Sequence, residues 1–216
     1  MANKIGIGIT TTPNRNKHLM LCLAQIEKHT SIDVDVFINN DEEGKGVAWS
    51  KNNCLKALKG HEYIFLFDDD CFPINDNWID FYIANHLNSK EHHFIYLNHS
   101  HNLLGTYNGI ESYNDCGGCF MFLTNEVIEK VGAFGDYGRY GFEHAGYSQR
   151  IHSAGLTTTP YLCPVNSSSF IHSLDLDSGH FDIKHHTSIA VDQCLRFINE
   201  NAPKFDKDIE TIYKPI

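Results

Sequence analysis

The stretch YIFLFDDDCFP, Tyr63 to Pro73, constrains the chain most, because five apolar or aromatic residues run straight into three aspartates. So continuous an apolar run reads as a strand buried on both faces, which belongs in the middle of a sheet. Adjacent carboxylates at its end repel one another and lose hydration, so something must neutralise them. Side chains two apart in extended backbone share a side. This aims Asp68 and Asp70 at a common point and turns Asp69 away. Hard divalent cations such as Mn²⁺ or Mg²⁺ are held by one or two such carboxylates together with the oxygens of a diphosphate. The bland alternative is a solvated turn with one helix-capping aspartate.

The segments before it set the fold class. KIGIGIT (4–10) reads as a buried strand broken by TTPNRN, and KHLMLCLAQIEKH as a helix with apolar residues at Leu19, Leu23 and Ile26. DVDVFINN is a second strand, and VAWSKNNCLKALKG a second helix with Gly60 at a C-cap position. Strand and helix alternating over the first 70 residues predict a parallel α/β sheet. Such sheets bind ligands at the carboxyl ends of their strands, where the polar turns TTPNR, NNDEEGKG and DDDCFP all lie. Beyond Pro73 the pattern predicts helices over NWIDFYIANHLNS, NEVIEKVGAF and FEHAGYSQRIHSAG, and strands over HHFIYLN and GGCFMFLT. From Thr157 onward it predicts loop, until a helix within 187–203. The expected organisation is one domain over 1–216, with a ligand-binding half to about residue 100, a second half over about 101–186, and a C-terminal helix and tail over 187–216.

Composition narrows the function. A net charge of −10 argues against a broad electrostatic grip on nucleic acid or an anionic membrane. No run approaches the roughly 18 apolar residues of a membrane span, and MANKIGIGIT lacks a signal-peptide pattern. Seven scattered cysteines fit reduced thiols better than a disulfide framework. A soluble, cytoplasmic protein is expected. Cys116-Gly-Gly-Cys119 has the spacing of a zinc half-site, but no second such pair follows.

FLFDDDCFP resembles the signature of the GT-A-fold glycosyltransferases, family 2-like and galactosyltransferase-like members, in which Asp-x-Asp follows a hydrophobic strand. The match runs through Asp68 and Asp70. Other segments fall in the family's order, from Lys4 to about His172. GIGITTTPNR looks like the first strand and turn, which implies donor-binding roles for Thr10, Thr11, Thr12 and Arg15. VFINND is similar to the second strand end, making Asn39, Asn40 and Asp41 candidates to meet the nucleobase. GVAWSKNNCLKAL resembles the helix start G-x-x-x-A-R-N-x-G-L-x-x-A, with Asn52 retained and Ser50, Lys51 and Cys54 substituted. Lys51 either offsets donor phosphate charge or is a solvated helix lysine.

Downstream, VGAFGDYGRYGFEHAGYSQRIHSAGL resembles the acceptor-side segment, keeping Glu143 and Arg150 but placing His144 and Gly146 where aspartates are common. The resemblance implies a general base at Glu143 or His144, or else a retaining reaction. His172 in SFIHSLD is the expected third group of the metal site, with His180, His185 and His186 weaker candidates and 166–186 a candidate lid. The resemblance further implies that Asp68 would hold the metal or the donor ribose and Asp70 the metal, with Asp69 grouped among the donor-binding residues. Gly117 and Gly118 would let donor or acceptor approach the backbone.

The implied fold is a single Rossmann-like GT-A domain with a mostly parallel central sheet flanked by helices. The implied activity is metal-dependent transfer of a hexose or related sugar from a nucleotide-sugar, expected to be a UDP-sugar, to an acceptor hydroxyl. The acceptor is left open among glycans, small molecules, proteins and modified nucleobases. A nucleotidyltransferase would carry a glycine- and lysine-rich loop after the first strand, which TTPNR is not. A non-catalytic nucleotide-sugar or glycan-binding domain is the remaining alternative, supported by the lost aspartates after Glu143.

Overall fold

The computed structural model describes residues 4–96, 102–136 and 143–174. The expectations for His180, His185, His186, the far part of the lid and the helix within 187–203 lie outside the described residues. No helix among the described residues is long and apolar enough to cross a membrane.

The chain runs β1 (Ile5–Thr11), α1 (Asn16–His29), β2 (Asp35–Asn40), α2 (Val47–Ala57), β3 (Tyr63–Asp68), β4 (Cys71–Pro73), α3 (Trp78–Ser89) and β5 (His93–Tyr96). It continues through β6 (Leu103–Tyr107), β7 (Ile110–Tyr113), β8 (Gly117–Thr124), α4 (Asn125–Val131), α5 (Glu143–Ser153), β9 (Leu162–Pro164) and β10 (Ile171–Ser173). The central sheet has the order β2-β1-β3-β8-β5. β1 pairs in parallel with both β2 and β3, while β8 runs antiparallel to β3 and β5. The sheet is therefore largely parallel, with one reversed strand.

Period-two alternation divides β1 between two cores. Ile5, Ile7 and Ile9 join Phe65, Phe67, Trp78 and Tyr82 on one face. Gly6 and Gly8 face the other way, under α2. A Cβ at Gly8 would stand 2.7 Å from Cys54 Cβ and 2.8 Å from Leu66 Cδ2. The isoleucine–glycine alternation therefore lets a helix lie directly on the strand backbone. On the isoleucine side the aromatic layer is edge-packed, with Phe65 to Trp78 at 4.7 Å and Phe67 to Phe120 at 5.0 Å between ring centroids.

Two smaller sheets attach to this frame. β10 pairs with β4 just beyond the aspartates, and β7 joins β6 to β9 in an antiparallel triplet. The loop expected after Thr157 thus contains two strands of three residues each, β9 and β10. Segments so short complete a single alternation, too little for a periodic signal.

Fully buried His93 links the sheet to α5. Its Nδ1–H donates to the Phe122 carbonyl at 3.0 Å, which leaves Nε2 to accept the Ser148 hydroxyl at 2.8 Å. Burial pushes this imidazole down to about 4. Between the ordinary value of ~6.5 and about 4, the unfolded chain binds the extra proton, so the stability supplied by neutral His93 declines as pH falls through that window. Urea unfolding across the window should show the advantage of wild type over His93→Gln shrinking toward its acid end. A constant difference would show that His93 is not the buried neutral group described.

Candidate active site at the carboxyl edge of the sheet

Parallel pairing brings the ends of β1, β2 and β3 to one edge. Thr10 is in register with Asn39 on one side and Asp68 on the other. β3 ends at Asp68, and the next two aspartates form the turn into β4. This turn stops the strand alternation, so Asp69 is not turned away from its neighbours as the sequence pattern predicts. It is 2% exposed, accepting from Thr11 Oγ1 at 2.6 Å and Arg15 Nε at 2.7 Å. Arg15, at the end of a short turn of 3₁₀ helix (Pro13–Arg15), also donates from Nη2 to Asp70. Thr10 Oγ1 donates to Asp68 Oδ1 at 2.7 Å. Burial pushes the Asp68 carboxyl up, against a downward pull from Lys51 and a further upward push from Asp70.

Lys51 is wholly buried on α2 and is no solvated helix lysine. Its Nζ donates to the Gly118 carbonyl at 2.7 Å and to Glu143 Oε1 at 3.2 Å, and lies 3.7 Å from Asp68 Oδ1. Burial would lower the Lys51 pKa, but Asp68 and Glu143 together hold it above its ordinary value. Glu143 opens α5 and is 5% exposed. Burial pushes its carboxyl up, yet Lys51 and then His144 prevail and hold it well below the usual range.

The His144 ring lies 3.1 Å from Glu143 through Nδ1. Burial disfavours its charge, but Glu143 first and Cys116 second raise its pKa well above the ordinary value. The two residues expected to supply a base thus form a hydrogen-bonded pair, in which each favours the charged form of the other, with Lys51 on the other side of Glu143. Gly118 makes room for this pair: a Cβ there would stand 2.5 Å from His144 Nδ1. What approaches the Gly118 backbone in this structure is the His144 ring. At Gly117 the close neighbour is the Tyr96 carbonyl, 3.1 Å from a would-be Cβ.

Other expected residues have structural partners. Both Asp41 oxygens accept from loop amides, Lys45 N–H at 2.9 Å and Gly46 N–H at 2.7 Å, fixing the turn before α2. Asn52 clamps the Phe134 backbone, accepting its N–H at 2.7 Å and donating to its carbonyl at 3.1 Å. Exposed Asn40 reaches Glu42 at 3.4 Å, and the Thr12 carbonyl accepts the Arg15 N–H at 3.0 Å. Asn39 accepts from Asn53 at 2.9 Å, while its own Nδ2 is buried without a hydrogen-bond partner among the described residues. His172 pairs across to Phe72, the second residue after Asp70, with ring centroids 5.5 Å apart. Leu174 N–H donates to the Asp70 carbonyl at 2.9 Å.

Among the described residues no three His, Cys, Asp or Glu side chains are gathered closely enough to hold a metal ion. The oxygen donors at Asp68 and Asp70 nonetheless have the chemistry of a hard divalent cation site, and the Asp68 side chain keeps 30% of its surface exposed. The burial of Lys51 had a sequence signal. It falls on the 3-4-3 stripe Ala48, Lys51, Leu55, Leu58, otherwise apolar. The Thr11–Asp69–Arg15 link had none, since it joins positions more than 50 residues apart.

No protein-family model matches the chain. An uncharacterised glycosyltransferase of Acanthamoeba polyphaga mimivirus is 32% identical over 186 residues, covering 79% of this chain and 70% of that protein. A Drosophila β-1,4-galactosyltransferase 7 mutant, solved with manganese, UDP-Gal and xylobiose, superposes with a TM-score of 0.54 at 16% identity over 90% of this chain and 79% of that one. A Pyrobaculum calidifontis mannosyltransferase, solved with GDP-Man and Mn²⁺, gives 0.57 at 11% identity over 77% of this chain and 56% of that one. At such identities these two are likenesses of fold.

The Lys51 contacts carry a stability prediction. Lys51→Met should cost about 3–5 kcal/mol in urea unfolding, because it takes the shared cation away from buried Glu143 and from Asp68. Adding Glu143→Gln should recover part of that loss. If Lys51→Met proved as stable as wild type, the lysine would not be the counter-charge of this cluster.

Proposed function

Since the chain belongs to the glycosyltransferases and has their GT-A fold, we propose that it moves a hexose or related sugar from a nucleotide-sugar, a UDP-sugar the expected donor, to an acceptor hydroxyl with the aid of a divalent cation. The observation that carries this reading is the convergence of Thr10, Asn39, Asp68, Asp70 and Arg15 on one sheet edge, joined through Lys51 to Glu143 on the acceptor side. The ligands named for the two structural neighbours, manganese with UDP-Gal and Mn²⁺ with GDP-Man, support the same class of donor and metal.

Asp68 and Asp70 would hold the cation, and His172, which pairs across to Phe72 and is not gathered with the two carboxylates among the described residues, is the proposed further ligand. When bound, the cation supplies Lewis acidity that offsets charge gathering on the leaving diphosphate. The buried Asn39 amide gives a donor that a nucleobase carbonyl would satisfy, removing the cost of an orphaned polar group. Asp41 and Asn52 support this edge from behind, Asp41 by shaping the turn into α2 and Asn52 by fixing the Phe134 segment. Glu143, ionised and backed by Lys51, orients the acceptor hydroxyl by accepting its hydrogen bond. His144, 3.1 Å away through Nδ1, holds Glu143 in place. Residues 1–216 are read as one domain, acting in the reduced setting that seven cysteines suit.

Titrating UDP into the protein with Mn²⁺ present tests the reading. Asp70→Asn should lose the Mn²⁺-dependent part of UDP binding and still fold, because Arg15 keeps its bond to Asp69. An Asp70→Asn protein that bound UDP and Mn²⁺ like wild type would remove Asp70 from the metal site.

A further inference from the structure

The three aspartates are neutralised in three different ways, and the difference singles out Asp70. Asp68 Oδ1 is fixed by Thr10 and approached by Lys51. Asp69 has a donor on each oxygen, Thr11 on Oδ2 and Arg15 Nε on Oδ1, and its side chain is 2% exposed. Asp70 meets a different branch of the same guanidinium, Arg15 Nη2 on Oδ2. Among the described residues Arg15 is its ion-pair partner. Arg15 itself keeps 32% of its side-chain surface exposed, so it is not enclosed on every side.

A guanidinium presents several donors from one rigid plane. Its Nε bond to buried Asp69 can therefore persist while Nη2 gives up Asp70. We infer that Arg15 is an exchangeable counter-ion of Asp70, pivoted on Asp69, which neutralises Asp70 before a divalent cation binds, yields it to that cation, and then turns Nη2 to the anionic donor. This rests on reading Asp68 and Asp70 as the cation site. It gives Asp69 a purpose that strand alternation does not, as the fixed end of the pivot. It also makes metal and donor cooperative. A cation arriving alone must displace Arg15 and stand beside its charge, whereas the diphosphate offers Arg15 a new partner.

The test measures Mn²⁺ and UDP separately on the full chain. Binding of Mn²⁺ alone is followed by the electron paramagnetic resonance signal of the free ion, and binding of UDP at saturating Mn²⁺ by calorimetry. Arg15→Gln should bind Mn²⁺ about tenfold more tightly than wild type, the scale of one charge-assisted hydrogen bond, and should bind UDP more weakly. Lys17→Gln, which removes an exposed charge two residues away, should shift neither by a comparable factor. An Arg15 that merely bolts the turn in place would weaken both ligands when replaced. If Asp70→Asn abolished Mn²⁺ binding while Arg15→Gln left it unchanged or weakened it, the exchange would be overturned and the cation site would stand. If wild type bound no Mn²⁺ even with UDP present, the cation site and the exchange would fall together.

Discussion

A buried ammonium must have partners, and the placing of Lys51 decides how the sheet edge and α5 meet. Its Nζ reaches β3 at Asp68, β8 at Gly118 and α5 at Glu143, three elements distant in sequence. Removing any one of them leaves charge or a carbonyl stranded in a region that excludes water. α5 is pinned from a second side as well. Tyr147 donates to the Gly132 carbonyl at 2.8 Å, and Arg150 donates to the carbonyls of Val131 at 3.3 Å and Ala133 at 2.5 Å. The helix that presents Glu143 is thus held by its own basic and aromatic residues to the end of α4.

The aspartates next to Lys51 follow the same logic. Like charges at the end of a buried strand are tolerated because each has its own donors, hydroxyls from β1 and cations from α2 and the first turn. Threonines at positions 10 and 11 are therefore part of the charge balance. Their β-branched side chains also suit the strand they end. Sheet register does the rest, since Thr10 lies opposite Asp68 only in the pairing that buries Ile7 and Ile9 against Phe65 and Phe67. A fold selected for its core thereby delivers hydroxyls to carboxylates.

Much of this was legible in the sequence. The strands β1, β2, β3, β5 and β8 and the helices α1 to α5 announce themselves through apolar runs and 3.6-residue periodicity, and the shared edge follows from parallel order. The aspartate side chains were less legible, because alternation holds only while a strand continues and β3 stops at Asp68. Asp41 and Asn52 were matched to ligand-binding motifs, yet both are tied to backbone. Short polar side chains beside a site serve the loop and the ligand alike, and residue type does not separate the two. Gly118 carries a similar lesson, since the group that needs its missing side chain is His144, 26 residues later.

The consequence of all these contacts is a carboxylate edge at the ends of β1 and β3, joined through Lys51 to Glu143 on α5. The most direct measurement is release of nucleoside diphosphate from a panel of nucleotide-sugars, with Mn²⁺ and then with a chelator. A metal-dependent glycosyltransferase of this design consumes at least one of them, a UDP-sugar first, and stops when the metal is removed. Consumption of none, or consumption that persists in the chelator, would contradict it.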